Sequence, residues 1–238
     1  MNHTNEPVRP GTAIVACIEP HAGHERAFNA WYERDHFYDA MMAGPGACAA
    51  ARYVATRECK QLRTGVGHLA DRTRGSYLTL AWLLPGLADE WNAWVGRRMA
   101  TLRDQPDRLF AARDHVFTAM YRFAWDARAD GGPAPIVALD RDFPGVIAVV
   151  CPGDLDAARS WAQALAAPEM PLLVGLAPER TIMAEVTPDD HVVVIGFCTE
   201  DPRVVWERRV APALDPAASG GGPFLRTVPG TDRYVDEL

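Results

Sequence analysis

The chain lacks most of the short signatures that assign a protein to a function class. No C-x-x-C pair occurs among its five cysteines, Cys17, Cys48, Cys59, Cys151 and Cys198, so spacing points to neither a structural zinc site nor a dithiol redox centre. Their odd number and wide separation read as reduced, structural thiols of a cytoplasmic protein. No H-x-H, H-x-x-x-H or close carboxylate pair appears, so no built-in metal site is expected. The Gly220-Gly221-Gly222 run precedes Pro223 and not a helix, and Gly65-x-Gly67 lacks the flanking strand and helix, so neither is a phosphate-binding loop. A G-x-S-x-G nucleophile elbow is also missing. No apolar run reaches the roughly 20 residues of a membrane span, and the polar start, Met1 to Gly11, has no signal-peptide core.

Positive charge is scarce as well. Lys and Arg number 24 against 31 Asp and Glu, a formal net charge of −7. Without a basic block, such a surface repels nucleic acid and anionic lipid. What remains is ample apolar material, 48% of 238 residues, enough for one large domain or two small ones.

Strand-like and helix-like segments alternate through that material. Thr12–Ile18 reads as a buried strand. A helix is expected over His24–Met42, stopped by Gly44-Pro45-Gly46. Ala47–Glu58 suits a second strand and Ser76–Leu84 a third, with a Gly-containing loop between them. Ala88–Arg103 reads as a helix carrying Trp91, Trp94, Val95 and Met99 on one side, and His115–Trp125 as a strand. After a stretch rich in Asp, Ala, Gly and Pro, the order recurs. A strand at Gly145–Cys151 is followed by a helix at Asp154–Ala167 and strand character from Met170 to Val186. A strand at His191–Cys198, a short helix at Pro202–Leu214 and a last strand over Phe224–Val235 complete it. The predicted division is a flexible start (1–11), a first half (12–126), a linker (127–142) and a second half (143–238).

Each half is thus a β-α-β-β-α-β unit, the ferredoxin-like motif. Such a unit with both helices on one face leaves the other face bare, and two can bury those faces together. The expected architecture is α+β, two ferredoxin-like halves packed sheet to sheet as an intramolecular α/β barrel, with a ligand cavity between the sheets.

The densest polar stretch is Ala30–Met42, AWYERDHFYDAMM. On a regular helix Tyr32, His36 and Asp39 share one stripe at i, i+4 and i+7. A phenol, an imidazole and a carboxylate in line suit general acid–base work: the carboxylate fixes the tautomer and the imidazole moves a proton. Asp35 is a second candidate for orienting His36, and Tyr38 a second candidate donor to a developing enolate. A solvated face with a His–Asp hydrogen bond is the plain alternative. Trp31, Trp82 and Tyr121 are candidate aromatic lining residues, and His68, in the Gly65–His68 loop, is a candidate cover for a cavity mouth. His21 and His24 are expected in solvent.

Trp31-Tyr32-Glu33-Arg34-Asp35-His36 resembles the W-Y-[DE]-x-[DE]-H motif of EthD-like and uncharacterised members of the dimeric α/β-barrel superfamily. The similarity continues through Pro45-Gly46 into Ala51-Arg52-Tyr53-Val54, covers residues 12–125 well, and reaches 143–236 only by element order. That family includes cofactor-independent monooxygenases, polyketide cyclases, muconolactone-type isomerases and haem-dependent chlorite dismutase relatives. The resemblance implies that His36 faces the barrel cavity and that Arg52 belongs to a ligand site. Trp161 matches Trp31, but Ala166 stands where His36 would be, so one working cavity is implied. The expected function is a cofactor-independent enzyme acting on a hydrophobic aromatic or polyketide-like small molecule, with haem binding and a non-catalytic ligand-binding or oligomerisation module as alternatives. A small aromatic ligand is the expected partner, and homodimerisation stays open.

Overall fold

The computed structural model describes residues 8–105, 108–139, 141–184 and 191–238. The first strand, β1 (Thr12–Pro20), is a nine-residue run of almost wholly buried side chains. Helix α1 (Glu25–Trp31) follows, with Glu25 in its first turn, where the helix dipole favours an anion. The helical path does not stop at Trp31. It runs on through two π-helical turns, Tyr32–His36 and Tyr38–Met42, each closing i→i+5. Gly44 then admits the indole of Trp91, whose Nε1 donates to the Met41 carbonyl at 3.1 Å; a Cβ at Gly44 would sit 2.5 Å from that ring.

The remaining elements are β2 (Ala47–Val54), α2 (Arg57–Leu62), a short β3 (Thr64–Gly65), β4 (Tyr77–Leu83), α3 (Ala88–Arg103) and β5 (Arg113–Arg128), followed by α4 (Pro135–Ala138), β6 (Gly145–Pro152), α5 (Leu155–Leu165), β7 (Leu172–Ala184), β8 (His191–Cys198), α6 (Pro202–Val205) and β9 (Gly220–Arg226). The caps read from sequence are in place. Asp154 accepts from the backbone N–H groups of Asp156 and Ala157 at the start of α5, and Asp201 caps α6 ahead of Pro202.

The strands run antiparallel in the order β2-β4-β1-β5-β7-β8-β6-β9, and β9 returns to β2, so eight strands close a barrel with β3 attached outside the ring to β9. The two places where strands 1–5 meet strands 6–9 differ greatly. The β5–β7 register runs from Phe117 to Arg128, whereas β2 and β9 meet only at Tyr53↔Arg226 and Val54↔Leu225.

Strand alternation sorts the core into two sides. Ala13, Val15 and Cys17 of β1 are flanked by Trp82, Leu80 and Leu78 of β4 and by Tyr121, Ala119 and Phe117 of β5, and face the lumen. Side chains of opposite parity face the helices. In the second part of the chain, Ile147, Val149, Val192 and Val194 pack with Ala158, Ala162 and Leu165 of α5 and with Val205 and Trp206. A bulge between Cys17 and Ile18 sets His115 opposite Ile18, which moves His115 to the helix side. The lumen is packed: Val15, Cys17, Leu78, Phe117, Tyr121, Val174, Ile195 and Phe224 all lie within 1% of full burial, as expected for the narrow interior of an eight-stranded barrel.

The last strand departs from the sequence expectation. β9 is Gly220–Arg226, not Phe224–Val235, and the glycine run is part of the sheet. A Cβ at Gly220 would lie 2.1 Å from the Val66 carbonyl and one at Gly222 2.5 Å from Arg63 Cγ, so glycine lets the 63–70 segment lie directly on the strand. Arg63 anchors that segment by donating to the carbonyls of Asp71, Arg74 and Gly75. Likewise, β2 ends at Val54, where Thr56 caps α2 and accepts from Cys59 N–H, and β5 continues through Arg128. Residues 1–7 of the expected flexible start lie outside the described residues, as does the end of the Met170–Val186 strand beyond Ala184.

Candidate active site beneath the first helix

Extra residues in the π turns rotate the helix phase, and this reorganises the expected Tyr32–His36–Asp39 stripe. His36 stacks on Trp31, five residues back, with ring centroids 4.6 Å apart and planes at 24°, and meets the Tyr32 ring edge-on at 5.0 Å. Asp39 turns away: it accepts from Arg98 Nε at 2.9 Å and from Arg108 Nη2 at 3.0 Å. Asp35 pairs with Arg108 as well. Neither carboxylate orients His36, because both are held by arginines. Tyr38 is 61% exposed and borders an outer groove.

His36 lies on the helix side of the sheet, not in the lumen where the resemblance placed it. The surroundings establish this. Arg52 stands opposite Thr79 in the β2–β4 register, with its guanidinium 4.3 Å from the Tyr32 ring centroid and 4.9 Å from that of Tyr77. His115 bonds through Nδ1 to Thr118 Oγ1 at 2.9 Å, and Thr118 pairs with Ala16, on the face turned to α1 and α3. Arg113 lies over the Trp31 indole at 4.7 Å. A polar cluster of Trp31, Tyr32, His36, Arg52, Arg113 and His115, called the chamber below, thus sits between the first helix and the outer face of the sheet. The other expected ligand-site residues are elsewhere. Trp82 and Tyr121 face the lumen, and His68 covers its end, 4.1 Å from Phe117. His191 accompanies them, with Nε2 3.0 Å from the Tyr121 hydroxyl. The sheet divides the candidates into two groups.

Burial sets the charge state of the chamber. It pushes His36 down to about 3, helped by Arg113 and His115, opposed by Asp35, with Arg52 adding to the fall. His115 is lowered to about 4 by burial and then by Arg113. Both imidazoles are therefore neutral at ordinary pH. Burial also raises the Tyr32 phenol, against Thr79 and the two arginines, so Tyr32 keeps its proton. Its hydroxyl is hydrogen-bonded with Thr79 and makes a weak contact with Met41 Sδ at 3.4 Å.

The arginines are incompletely matched. Arg52 is 5% exposed; its Nη1 donates to Asn29 Oδ1 at 3.0 Å and Glu33 Oε1 at 3.2 Å, while Nε and Nη2 have no hydrogen-bond partner. Arg113 Nε and His115 Nε2 are likewise buried and unpartnered. Aromatic faces offset part of that cost. Thr79 was visible as a polar residue interrupting an apolar strand, whereas Arg113 and His115 stand at the start of β5 and join this face through the bulge.

Arg52 also lines the groove outside, a cavity of about 440 Å³ bordered by Glu33, Phe37, Tyr38, Ala51 and Arg226. The groove opens where β2 and β9 diverge. One wall is the segment after β9, tied to the helix by Asn29 Nδ2 donating to the Thr231 carbonyl and by Gly230 N–H donating to Glu33.

No family model and no curated protein matches the sequence. Solved structures do match in shape. An anthrone oxidase-like protein superposes with a TM-score of 0.56 at 12% identity, over 93% of this chain and 94% of its own. A provisionally assigned chlorite dismutase gives 0.50 at 10% identity, over 97% and 100%. This chain has the dimeric α/β-barrel fold. Within that fold, a DypB variant of Rhodococcus jostii RHA1 in complex with haem reaches 0.49 at 12% identity, over 96% of both chains, a likeness too distant to bear on chemistry.

Haem can be tested against the side chains of this dimeric α/β barrel. The lumen is filled by residues at or near zero exposure. Three concave surfaces of about 440, 620 and 460 Å³ are lined by no histidine. His36 has one ring face against Trp31. None of these three surfaces offers an axial imidazole. Among the described residues, no cluster of three His, Cys, Asp or Glu could hold a metal ion, and no helix is long and apolar enough to cross a membrane.

Proposed function

We propose that the protein is a cofactor-independent enzyme for a small, enolisable, largely aromatic molecule, and that the chamber under the first helix is where it acts. The observation that carries this reading is the gathering of two imidazoles, His36 and His115, with the buried Tyr32 phenol, the buried Arg52 and the partly buried Arg113. His36, fixed by stacking on Trp31 and not by a carboxylate, takes a proton from the carbon beside a substrate carbonyl. The electron pair of that C–H bond moves onto the carbonyl oxygen, which the Tyr32 hydroxyl or Arg52 receives by hydrogen bond. The imidazolium returns its proton to another carbon in an isomerisation. In a cyclisation the enolate carbon attacks a second carbonyl of the same molecule. Oxygenation begins with the same proton transfer.

Two further readings go with this one. The strand orders β2-β4-β1-β5 and β7-β8-β6-β9 are the same permutation, which supports two ferredoxin-like halves, 12–126 and 143–238, joined in tandem. Free cysteines throughout suit a reducing, cytoplasmic setting.

The test is hydrogen–deuterium exchange at the acidic carbon of anthrone and of aryl β-diketones, followed by NMR. Wild type should exceed buffer, and His36→Ala should lose about 10²- to 10⁴-fold. Exchange no faster than buffer, or a fully active His36→Ala, rejects the mechanism and leaves a binding module. A hemin titration monitored near about 400 nm should show no saturable band; a stoichiometric one would replace this reading with haem chemistry.

A further inference from the structure

The chamber holds more positive charge than its own carboxylates neutralise. Arg52 shares Glu33, whose second oxygen already accepts the Gly230 N–H at 2.9 Å. Asp35 and Asp39 are committed to Arg98 and Arg108 at the helix surface. The neighbouring Asp114 pairs with His21 and Arg74. Arg113 is left with an aromatic face, Trp31, and no carboxylate partner among the described residues. Burying guanidinium N–H groups without acceptors is costly even when the cation is partly exposed or shares a carboxylate. Arg52 and Arg113 both have such N–H groups. A cation–π contact supplies attraction to the guanidinium face but accepts no in-plane hydrogen bond.

We infer that the ligand of this chamber is an acid, a small aromatic or conjugated carboxylate whose oxygens are received by Arg113 and Arg52. The inference rests on the chamber being the reaction site. An aromatic acid suits the neighbouring rings as well as the charges. Trp31 faces Arg113 and Tyr32 faces Arg52, and Phe110 stacks on Trp31 at 5.6 Å. A carboxylate has the planar, two-oxygen geometry that a guanidinium edge matches.

The anion also changes His36. The groups facing that imidazole are Arg113 and His115 from β5, Arg52 from β2, and Asp35 and Tyr32 from its own helix. Burial and the two arginines together favour the neutral imidazole and make it a weak base. A bound carboxylate beside Arg113 and Arg52 cancels their field at His36 and raises its proton affinity. The acid group of the substrate thereby equips the base that acts on it.

Benzoate, salicylate, benzamide and inorganic phosphate are the probes, titrated by calorimetry into the full chain. Histidine ring protons are followed by NMR, with His36→Gln identifying the His36 signal. One of the two aromatic carboxylates should bind 1:1, with benzamide and phosphate at least about 10-fold weaker. Arg113→Gln should lose about 10- to 100-fold in affinity, Arg113→Lys should recover part of it, and the His36 titration should move upward on binding. Benzamide or phosphate binding as well as the carboxylates, an unaffected Arg113→Gln, or neither carboxylate binding below about 10 mM overturns the inference. These arms do not require turnover. Carboxylate binding that survives in an active His36→Ala would refute the catalytic reading alone. Loss of exchange in His36→Ala without carboxylate binding would refute only this one.

Discussion

At the residue scale, the chamber is a set of groups whose ordinary charges are suppressed or left uncompensated. His36 and His115 resist protonation because burial removes the water that would solvate an imidazolium. The sign of the stability effect follows. Folded values of about 3 and about 4 lie below the ordinary 6.5, so the unfolded chain binds these protons first as pH falls. Their contribution is complete above about pH 6.5 and is lost as pH drops toward 4, at up to about 1.4 kcal/mol per pH unit for each histidine. Urea unfolding between pH 4 and 8 should show this slope, and His115→Asn should make it shallower; an unchanged slope would mean that His115 is already protonated in the fold. The sequence disclosed His36 through its neighbours in AWYERDH, but not Arg113 or His115. Those two sit at the start of β5, where polar residues are ordinary, and a bulge decides which face they join.

At the element scale, apolar runs made most strands and helices readable, because each run is long enough to be buried whole. Two elements were not readable. The π turns leave no mark in residue type, so a regular-helix stripe was expected where none exists. The Gly220–Gly222 strand was hidden because glycine carries no strand signal; its role, contact with the 63–70 segment, is long-range. That contact can be tested with paired substitutions. Gly65 has φ +93°, and its added Cβ would lie 1.9 Å from the Ser219 carbonyl, whereas Gly67, at φ +88°, has open space around it. Gly65→Ala should cost at least about 2 kcal/mol and Gly67→Ala only about 1. Thermal denaturation of the two variants checks the difference, and equal melting temperatures would show that the segment yields.

At the scale of the whole molecule, the two seams give the barrel a strong side and a weak side. The pairing of β2 with β9 is brief, and the groove lies beside it. Local opening should begin there. Native-state hydrogen exchange should find the amide of Thr227, which donates to the Arg52 carbonyl at 3.1 Å, exchanging at least about 10-fold faster than those in the middle of the β5–β7 pairing. The reverse order would place the flexible side opposite the groove. The circular order of strands could be inferred from the repeated element order, whereas the inequality of the seams could not, since it depends on where β9 bends away after Arg226.

The paired π turns make chain length itself a control on chemistry. An α-helix advances about 100° per residue, and a π turn is an α-helical path that has absorbed one more residue than it needs. Removing one residue from the Tyr32–His36 turn would let that turn relax to regular winding while the helix ends stay anchored. Trp31 and His36 would then fall out of stacking register, and Asp35 and Asp39 would leave Arg108. A lineage could gain or lose this arrangement in a single insertion or deletion, with every side chain of the proposed site still present in its sequence. Alignments that compare residue types and ignore such one-residue gaps would count the two forms as equivalent.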